Sequence, residues 1–233
     1  MNLGEAKSHV KHAVGGDPSV APGQTSAERT IQVINHAGEQ LYTRPWKFRN
    51  ASVLLDLTED QETLTQPDGM LFSSGGELVS AVRTADGLSI ETVTAEQMDH
   101  LRDGTMSSAA VNGYTSHIAI IWSGGSQKIH VYPTPSGSVA DAVRFRYRKA
   151  WKAVTSSDDD GYNFPIPKYV EPLFTAYLRL FAIGYEDDGM TMRLAEVDTG
   201  PILQTSLMKD GIASRDVGRL RPQRGRTFRV GRL

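Results

Sequence analysis

Residues 142–148, with the sequence AVRFRYR, have the clearest β-strand pattern in the chain. Apolar and basic side chains alternate along this stretch, and a period of two is that of a β-strand, whose successive side chains point to opposite faces of the sheet. The apolar side chains lie on one face, and Arg144, Arg146 and Arg148 lie on the other. We therefore expect a strand with one face in the core and the other in contact with water or a partner.

Four other segments between residues 51 and 155 have strand character. They are Val53–Thr58, Leu78–Val82, His117–Trp122 and Lys128–Tyr132. Clusters of Gly, Pro, Asp and Ser separate them, including Ser123-Gly124-Gly125-Ser126, which is typical of a hairpin turn. Short strands at this spacing predict an antiparallel sandwich or small barrel. Residues 94–101 are predicted to form a helix within this region, because Thr94 and Gln97 have the spacing of a capping box.

Two helices are predicted before the β-region. Apolar residues recur at helical spacing from Leu3 to Ala13, and Gly15-Gly16 ends that pattern. The second helix begins with a capping box formed by Thr25 and Glu28 and ends before Pro45. Its apolar face is predicted to contain Ala27, Ile31, Ile34, Gly38 and Leu41.

Two more helices are predicted after the β-region. The first begins near Tyr169, with Pro172 in its first turn, where proline is tolerated. Its apolar stripe is the widest in the chain and contains Val170, Leu173, Phe174, Tyr177, Leu178 and Phe181. The second helix covers about residues 190–208, and Gly200-Pro201 must kink or break it.

The predicted fold class is therefore α+β: a small helical bundle with an inserted antiparallel β-sandwich or barrel-like domain and an extended basic C-terminal tail. The predicted domains are the N-terminal helices of the bundle at 1–48, the inserted β-domain at 49–157, the C-terminal helices at 158–212 and the tail at 213–233.

Charge is distributed unevenly along the 233 residues, whose formal net charge is −2. Residues 209–233 contain eight basic and two acidic residues, a net charge of +6, so residues 1–208 carry −8. A basic arm on an acidic body indicates a polyanion or an acidic protein surface as partner. We expect residues 219–233, with six arginines and few apolar residues, to be disordered on their own.

Several classes of site are absent from the sequence. The chain has no cysteine, which excludes disulfides and thiolate metal sites. It has no nucleophile-elbow, phosphate-loop or dinucleotide-binding motif. No apolar run approaches the roughly 18 residues of a membrane span, and no signal-peptide pattern is present at the N-terminus.

The remaining candidates for chemistry have simpler interpretations. His9 and His12 lie one turn apart, but a solvated helix face explains them better than a metal site. The acidic clusters, Asp56, Glu59, Asp60 and Glu62 in one loop and Asp158, Asp159 and Asp160 in another, are interpreted as solvated loops. The aromatic residues Trp46, Phe48, Trp122, Tyr132, Tyr147 and Trp151 are interpreted mainly as core. We predict no catalytic, cofactor-binding or metal-binding residue, and no cofactor.

The order of the motifs resembles that of the head-to-tail adaptor proteins of tailed bacteriophages, the neck or tail tubular protein A-like group. The matching pieces, within about residues 25–200, are Leu41–Trp46, Leu64–Asp68, Ile90–Met98, His117–Ile120, Lys128–Pro135, the strand at 144–149 and Pro165–Tyr169. The Gln66-Pro67-Asp68 piece, the Gly200-Pro201 interruption and the long arginine-rich tail depart from the family pattern.

This resemblance implies a structural virion protein without enzymatic activity. Twelve copies would form a ring between the portal protein and a tail nozzle or tail tube protein, and packaged double-stranded DNA would pass through its lumen. The protein would be made in the host cytoplasm, would reside in the neck of the virion and would have no membrane partner.

The resemblance also implies that the C-terminal segment reaches the portal protein. The predicted docking residues are Arg219, Arg221, Arg224, Arg226, Phe228, Arg229, Val230 and Arg232. Arginine is suited to this task because its guanidinium pairs with a carboxylate or phosphate through two hydrogen bonds. Two alternatives stay open: a virion-associated carbohydrate-active hydrolase that uses the acidic loops, and a nucleic-acid-binding virion protein that uses the tail.

Overall fold

The computed structural model describes residues 1–18, 20, 22–67, 69–70, 76–104, 114–123, 126–184, 194, 196–198 and 200–211. Its helices are α1 (Leu3–Val14), α2 (Ser26–Tyr42), a 3-10 helix (Lys47–Arg49), α3 (Ala95–Arg102), α4 (Glu171–Ile183) and α5 (Pro201–Asp210). Its strands are β1 (Asn50–Leu57), β2 (Thr63–Leu64), β3 (Glu77–Arg83), β4 (Ser89–Val93), β5 (His117–Ser123), β6 (Ser126–Tyr132) and β7 (Val139–Arg148). The predicted α+β class is confirmed.

The chain divides into two compact units. The helical unit consists of residues 1–33, 46–48 and 159–233, and the sheet unit consists of residues 34–45 and 49–158. The boundary between them falls inside α2.

The sheet unit is built from seven strands in the order β1-β7-β3-β4-β5-β6-β2. All seven strands contribute to one apolar core, so the sheet curves around that core as a barrel-like structure. The buried members are Leu57, Leu64, Met70, Ala81, Ile90, Ile118, Ile129, Val131, Ala142, Val143, Phe145 and Tyr147.

The strand predicted at residues 142–148 is part of β7, which lies one strand in from an edge of this sheet. β7 pairs with β1 on one side and with β3 on the other, and both pairs are antiparallel. Val143, Phe145 and Tyr147 are buried, and Arg144 and Arg146 are exposed on the opposite face. The predicted division of the two faces is therefore confirmed, as are all five predicted strands.

Two features of the sheet differ from the sequence-based prediction. First, β4 and β5 are parallel, whereas we expected an antiparallel sheet. The chain leaves β4 through α3 before it enters β5, and such a crossover allows two neighbouring strands to run in the same direction. Second, β2 and β4 were not predicted, because β2 has two residues and β4 contains a single fully apolar core residue, Ile90.

The short helix α3 covers the outer side of β5 and β6. Both halves of the predicted capping box are formed by Thr94 and Gln97. Met98 and Leu101 are buried beneath the helix. His130 alternates with core residues of β6 and thus points outward, where its Nδ1 lies 3.3 Å from Arg102 Nη2 at the end of α3.

The part of α2 in the sheet unit packs against the segment after β7. The Asn35 side chain accepts hydrogen bonds from Trp151 Nε1 (3.2 Å) and from the Val154 amide (2.9 Å), and it donates one to the Val154 carbonyl (2.9 Å). Gly38 leaves room for the Trp151 indole, because a Cβ at that position would lie 2.1 Å from the ring.

Buried Arg49 closes the end of α2. Its guanidinium donates hydrogen bonds to the carbonyls of Tyr42, of Arg44 (2.7 Å) and of Lys149 (2.8 Å). Terminal helix carbonyls have no partner within the helix, so this side chain supplies one for Tyr42. Burial lowers the pKa of Arg49 from its usual value, and the three carbonyls offset part of that cost.

The predicted apolar face of α2 needs one correction. Ile31, Ile34, Gly38 and Leu41 are buried, but Ala27 is exposed. Ala27 lies in the first turn beside the capping box, whose Thr25 and Glu28 side chains bond one another and face solvent. The buried face is completed instead by residues such as Val33 and Ala37.

The helical unit has α4 at its centre. Seven of the thirteen residues of α4 are buried, and α1 and α5 both contact this helix. Phe174 is fully buried and meets Phe164 edge to face at 5.5 Å. The predicted break at Gly200-Pro201 is confirmed, because Gly200 is the N-cap of α5 and Pro201 is its first residue.

Candidate functional site

The predicted docking residues lie outside the described residues. This applies to all of them: Arg219, Arg221, Arg224, Arg226, Phe228, Arg229, Val230 and Arg232. The structure does describe the chain up to Gly211, which directly follows α5 and precedes these residues in the sequence.

The end of α5 is fixed to two other parts of the helical unit by Asp210. One carboxylate oxygen accepts a hydrogen bond from the Lys47 amide at 2.6 Å, and the other accepts one from the Tyr169 hydroxyl at 2.5 Å. The Lys47 ammonium donates to the Gly211 carbonyl at 2.9 Å. The 3-10 helix, the segment before α4 and the last turn of α5 thus meet at one carboxylate.

This cluster is polar but largely enclosed. Asp210 is 7% exposed, and Ser206, one turn earlier, is also buried and donates a hydrogen bond to the Tyr169 carbonyl. Burial, followed by the hydrogen bond to Asp210, raises the pKa of Tyr169 to about 12. The phenol therefore keeps its proton and remains a donor throughout the neutral range. Because both carboxylate oxygens of Asp210 are used, the chain has a fixed starting point at Gly211.

A second candidate is the outer side of the β1–β7–β3 part of the sheet, which we call the arginine face. It is defined by Arg144, Arg146 and Arg148 of β7. Arg148 forms an ion pair with Glu77 of β3. The ion pairs between described residues do not include Arg144 or Arg146, so two exposed cations there have no acidic partner within the described part of the chain.

The arginine face also exposes apolar surface. Leu54 of β1 lies opposite Arg144 and is 41% exposed, and Val79, at an irregularity in β3, is 50% exposed. A shallow depression of about 410 Å³ lies beside Ser52, Val79 and Arg146. Exposed arginine next to aliphatic side chains is a composition found in protein interfaces, where arginine is enriched and lysine is depleted.

A third candidate is a cleft of about 350 Å³ in the sheet unit, beside Arg83, Tyr114 and Val139. Arg83 is nearly buried and forms two hydrogen bonds with Asp86, at 3.1 Å and 2.6 Å. The charge of this arginine is thus already matched, and the cleft does not present a free cation to a ligand.

The acidic loops form hydrogen bonds of an ordinary structural kind. Asp56 accepts one from the Asp141 amide at 2.7 Å, and Glu62 lies 3.8 Å from Arg102. Asp158 and Asp159 accept hydrogen bonds from backbone amides of their own turn. Within the described ranges, no group of three or more His, Asp or Glu side chains is arranged to hold a metal ion.

The aromatic residues divide between core and surface. Trp46, Tyr147 and Trp151 are buried, as interpreted from the sequence, and Trp122 near the β5–β6 turn is 62% exposed. β5 and β6 pair antiparallel as far as Ser123 and Ser126, and the two glycines of the predicted hairpin turn lie outside the described residues.

Sequence reasoning identified the arginine face but missed the Asp210 cluster. The alternation in β7 gave the arginines directly, whereas Lys47 and Asp210 are 163 positions apart in the chain. No helix in the described ranges has the length and apolar character of a membrane span.

Comparison with known proteins completes the picture. No curated protein matches the chain. The family model described as SU10 adaptor protein matches residues 1–216, which include both described units. The match bears out the resemblance to phage head-to-tail adaptors and indicates a structural role. The chain therefore belongs to the SU10 adaptor protein family.

Proposed function

We propose that the protein is a head-to-tail adaptor that forms a ring of twelve copies in the virion neck, between the portal protein and a tail nozzle or tail tube protein. The family match over residues 1–216 is the observation that carries this proposal. Packaged double-stranded DNA passes through the lumen of the ring during ejection, and the protein performs no catalysis.

The exposed side chains of the sheet unit suit a protein whose role is to bind other proteins. Exposed cations at Arg144 and Arg146 and exposed aliphatic residues at Leu54 and Val79 suit contact with other proteins. In a ring, each subunit uses two different surfaces for its two neighbours, and rotation closes the assembly. Contacts of modest strength become effectively permanent when many copies engage together.

The C-terminal segment is the docking element for the portal protein in this proposal. Its arginines pair with carboxylates of an acidic groove, and Phe228 and Val230 enter apolar pockets as anchors. The Asp210 cluster supports this assignment, because it fixes the chain at Gly211, just before the segment begins. A fixed starting point lowers the entropy that is lost when the segment binds.

The test uses particles whose only source of this protein is a variant gene. Deletion of residues 219–233 should abolish attachment of tails to portal-bearing heads and leave the purified subunit folded. Normal attachment of the truncated subunit would refute the docking role of the segment.

A second comparison separates protein docking from general binding of polyanions. Phe228→Ala should weaken attachment more than any single Arg→Lys change in the segment, because only a shaped protein pocket requires the aromatic ring. If Phe228→Ala has no effect and attachment falls steeply with salt, the segment acts as a nucleic-acid-binding arm instead.

A further inference from the structure

The solvent side of α3 carries a row of acidic residues. Glu96, Asp99 and Asp103 follow one another at spacings of three and four residues, which places them on one face of the helix. All three are exposed, and the ion pairs between described residues include none of them. We call this the acidic row.

The acidic row and the arginine face lie on different sides of the same barrel. α3 covers the outer side of β5 and β6, and β7 is separated from β5 by β3 and β4. Both surfaces belong to the sheet unit. One copy therefore presents cations on one side and carboxylates on another, and the two rows of a single copy cannot meet.

The two rows have similar lengths. From Glu96 to Asp103 the helix rises about 10 Å, at about 1.5 Å per residue. From Arg144 to Arg146, the two arginines without an acidic partner in the described chain, the strand extends about 7 Å, at about 3.4 Å per residue. Long arginine side chains can bridge the difference, so the acidic row of one copy can lie along the arginine face of another.

The borders of the arginine face limit where an acidic partner can bind. Glu77 already pairs with Arg148 at one end. At the other end, Asp56 is engaged by the Asp141 amide. The strongest attraction is thus at Arg144 and Arg146, in the middle of the face and next to exposed Leu54 and Val79.

We propose that the arginine face of one copy binds the acidic row on α3 of a neighbouring copy, and that this contact joins subunits around the ring. The inference rests on the proposed function for the ring itself and adds the surfaces that form it. Double-stranded DNA would satisfy the arginines but would leave the carboxylates on the other side without a partner, whereas neighbouring copies satisfy both rows. The contact is of the head-to-tail kind, which a closed ring requires.

Cross-linking in the full chain tests the contact, because the sequence contains no cysteine. Ser52→Cys places a thiol opposite Arg146 on the neighbouring strand, and His100→Cys places one between Glu96 and Asp103 on the helix. Both changes leave the two charged rows intact. A short bis-maleimide is the suitable reagent, because an arginine–carboxylate pair separates the backbones by more than the roughly 7 Å that a disulfide spans.

The double-cysteine chain should give a ladder of covalent multimers, both in purified particles and at high concentration in solution. Each single-cysteine chain is the matched control and should give no ladder. Absence of a ladder in both settings would overturn the inference, and so would dimers from either single-cysteine chain, because those would indicate a two-fold contact.

Charge reversal then tests the chemistry. In the double-cysteine chain, Arg146→Glu should reduce multimer yield by about tenfold or more, since it places like charges opposite each other. Adding Asp99→Lys to the same chain should restore most of the yield, because the pair is again complementary. Failure of the second change to restore it, with the chain still folded, would refute the pairing.

Two further measurements distinguish this inference from binding of the C-terminal segment and from failure of the proposed function. A ladder that disappears when residues 219–233 are deleted would assign the acidic row to the C-terminal segment of a neighbour and overturn the inference. The proposed function is tested independently, by measuring the amount of wild-type protein relative to portal protein in purified particles. If the protein is absent from particles, the adaptor proposal fails whatever the cross-linking in solution shows.

Discussion

At the scale of single residues, Gly38 shows how packing reverses an ordinary helix preference. Alanine in a helix interior is usually favoured over glycine by about 1 kcal/mol. At position 38, however, a Cβ would lie 2.1 Å from the Trp151 indole, which is itself held by Asn35. The ring cannot move away without loss of that hydrogen bond.

We expect Gly38→Ala to lower the free energy of unfolding by about 1–3 kcal/mol, the range for overpacking a well-packed site. Urea denaturation followed by Trp fluorescence measures this change. Gly137→Ala is the matched control, because no atom lies within 4 Å of a Cβ there, and its effect should be near zero. A stabilising Gly38→Ala would mean that the indole is not fixed against α2.

Tyr169 provides a pH-dependent test of the Asp210 cluster. Its pKa is raised to about 12 from the usual value of 10.0, so the folded state favours the protonated phenol. The resulting stability is fully present below pH 10 and is lost as the pH rises from about 10 to about 12, because the unfolded chain loses this proton first.

An ultraviolet titration of tyrosinate should therefore show Tyr169 ionising above pH 10, and Tyr169→Phe should reduce the amplitude of that late ionisation by one tyrosine. Tyr169→Phe should also lower the free energy of unfolding at neutral pH by about 1–2 kcal/mol, through loss of a hydrogen bond to a charged acceptor. If the variant removes an ordinary step near pH 10, the hydroxyl is not bonded to Asp210.

At the scale of elements, α4 is the main source of stability in the helical unit. Phe174 is fully buried and contacts Phe164. Phe174→Ala should lower the free energy of unfolding by about 3–5 kcal/mol, as measured by denaturant unfolding. Ile183→Ala at the end of the same helix, where the side chain is 41% exposed, should cost less than about 1 kcal/mol. Similar costs at the two positions would show that α4 is not the centre of the unit.

The sequence predicted those elements whose signals are local. The capping boxes of α2 and α3, Gly15 after α1 and the proline in the first turn of α4 mark helix ends by chemistry within a few residues. Alternation marked β7 for the same reason. β2 was not predicted because a strand of two residues is too short to show a periodic pattern. β4 was not predicted because its pairing with β5 depends on residues far away in the sequence.

The candidate site was predictable to the same extent. Arg144, Arg146 and Arg148 follow from alternation within one strand. That Arg148 pairs with Glu77, and that Arg144 and Arg146 have no acidic partner in the described chain, is known only from the fold. In the Asp210 cluster, Asp210 accepts hydrogen bonds from Tyr169 and Lys47, which lie 41 and 163 positions away from it in the sequence. No local pattern brings these residues together. Long-range polar contacts of this kind depend on how helices pack, which a single sequence does not specify.

At the scale of the whole molecule, the contacts of the acidic residues bear on the choice between a structural protein and a hydrolase. A glycosidase needs two carboxyl groups held at a fixed separation across a cleft, one of them with a raised pKa. Two of the clustered carboxylates have ordinary structural partners instead: Asp56 of β1 accepts a hydrogen bond from the Asp141 amide, and Glu62 lies 3.8 Å from Arg102.

We therefore expect the triple variant Asp56→Asn, Asp60→Asn, Glu62→Gln to leave infectivity of the particles largely unchanged. Asparagine at position 56 keeps an oxygen that can accept the hydrogen bond from the Asp141 amide. A long surface ion pair such as Glu62–Arg102 contributes about 0–1 kcal/mol, so folding should also be little affected. Plaque counts and thermal melting of the purified chain measure the two effects. Loss of infectivity by particles that assemble normally, with an unchanged melting temperature, would give these carboxylates a chemical role and favour the hydrolase. Loss of infectivity together with loss of assembly would place the loop in an interface and keep the protein in the structural class.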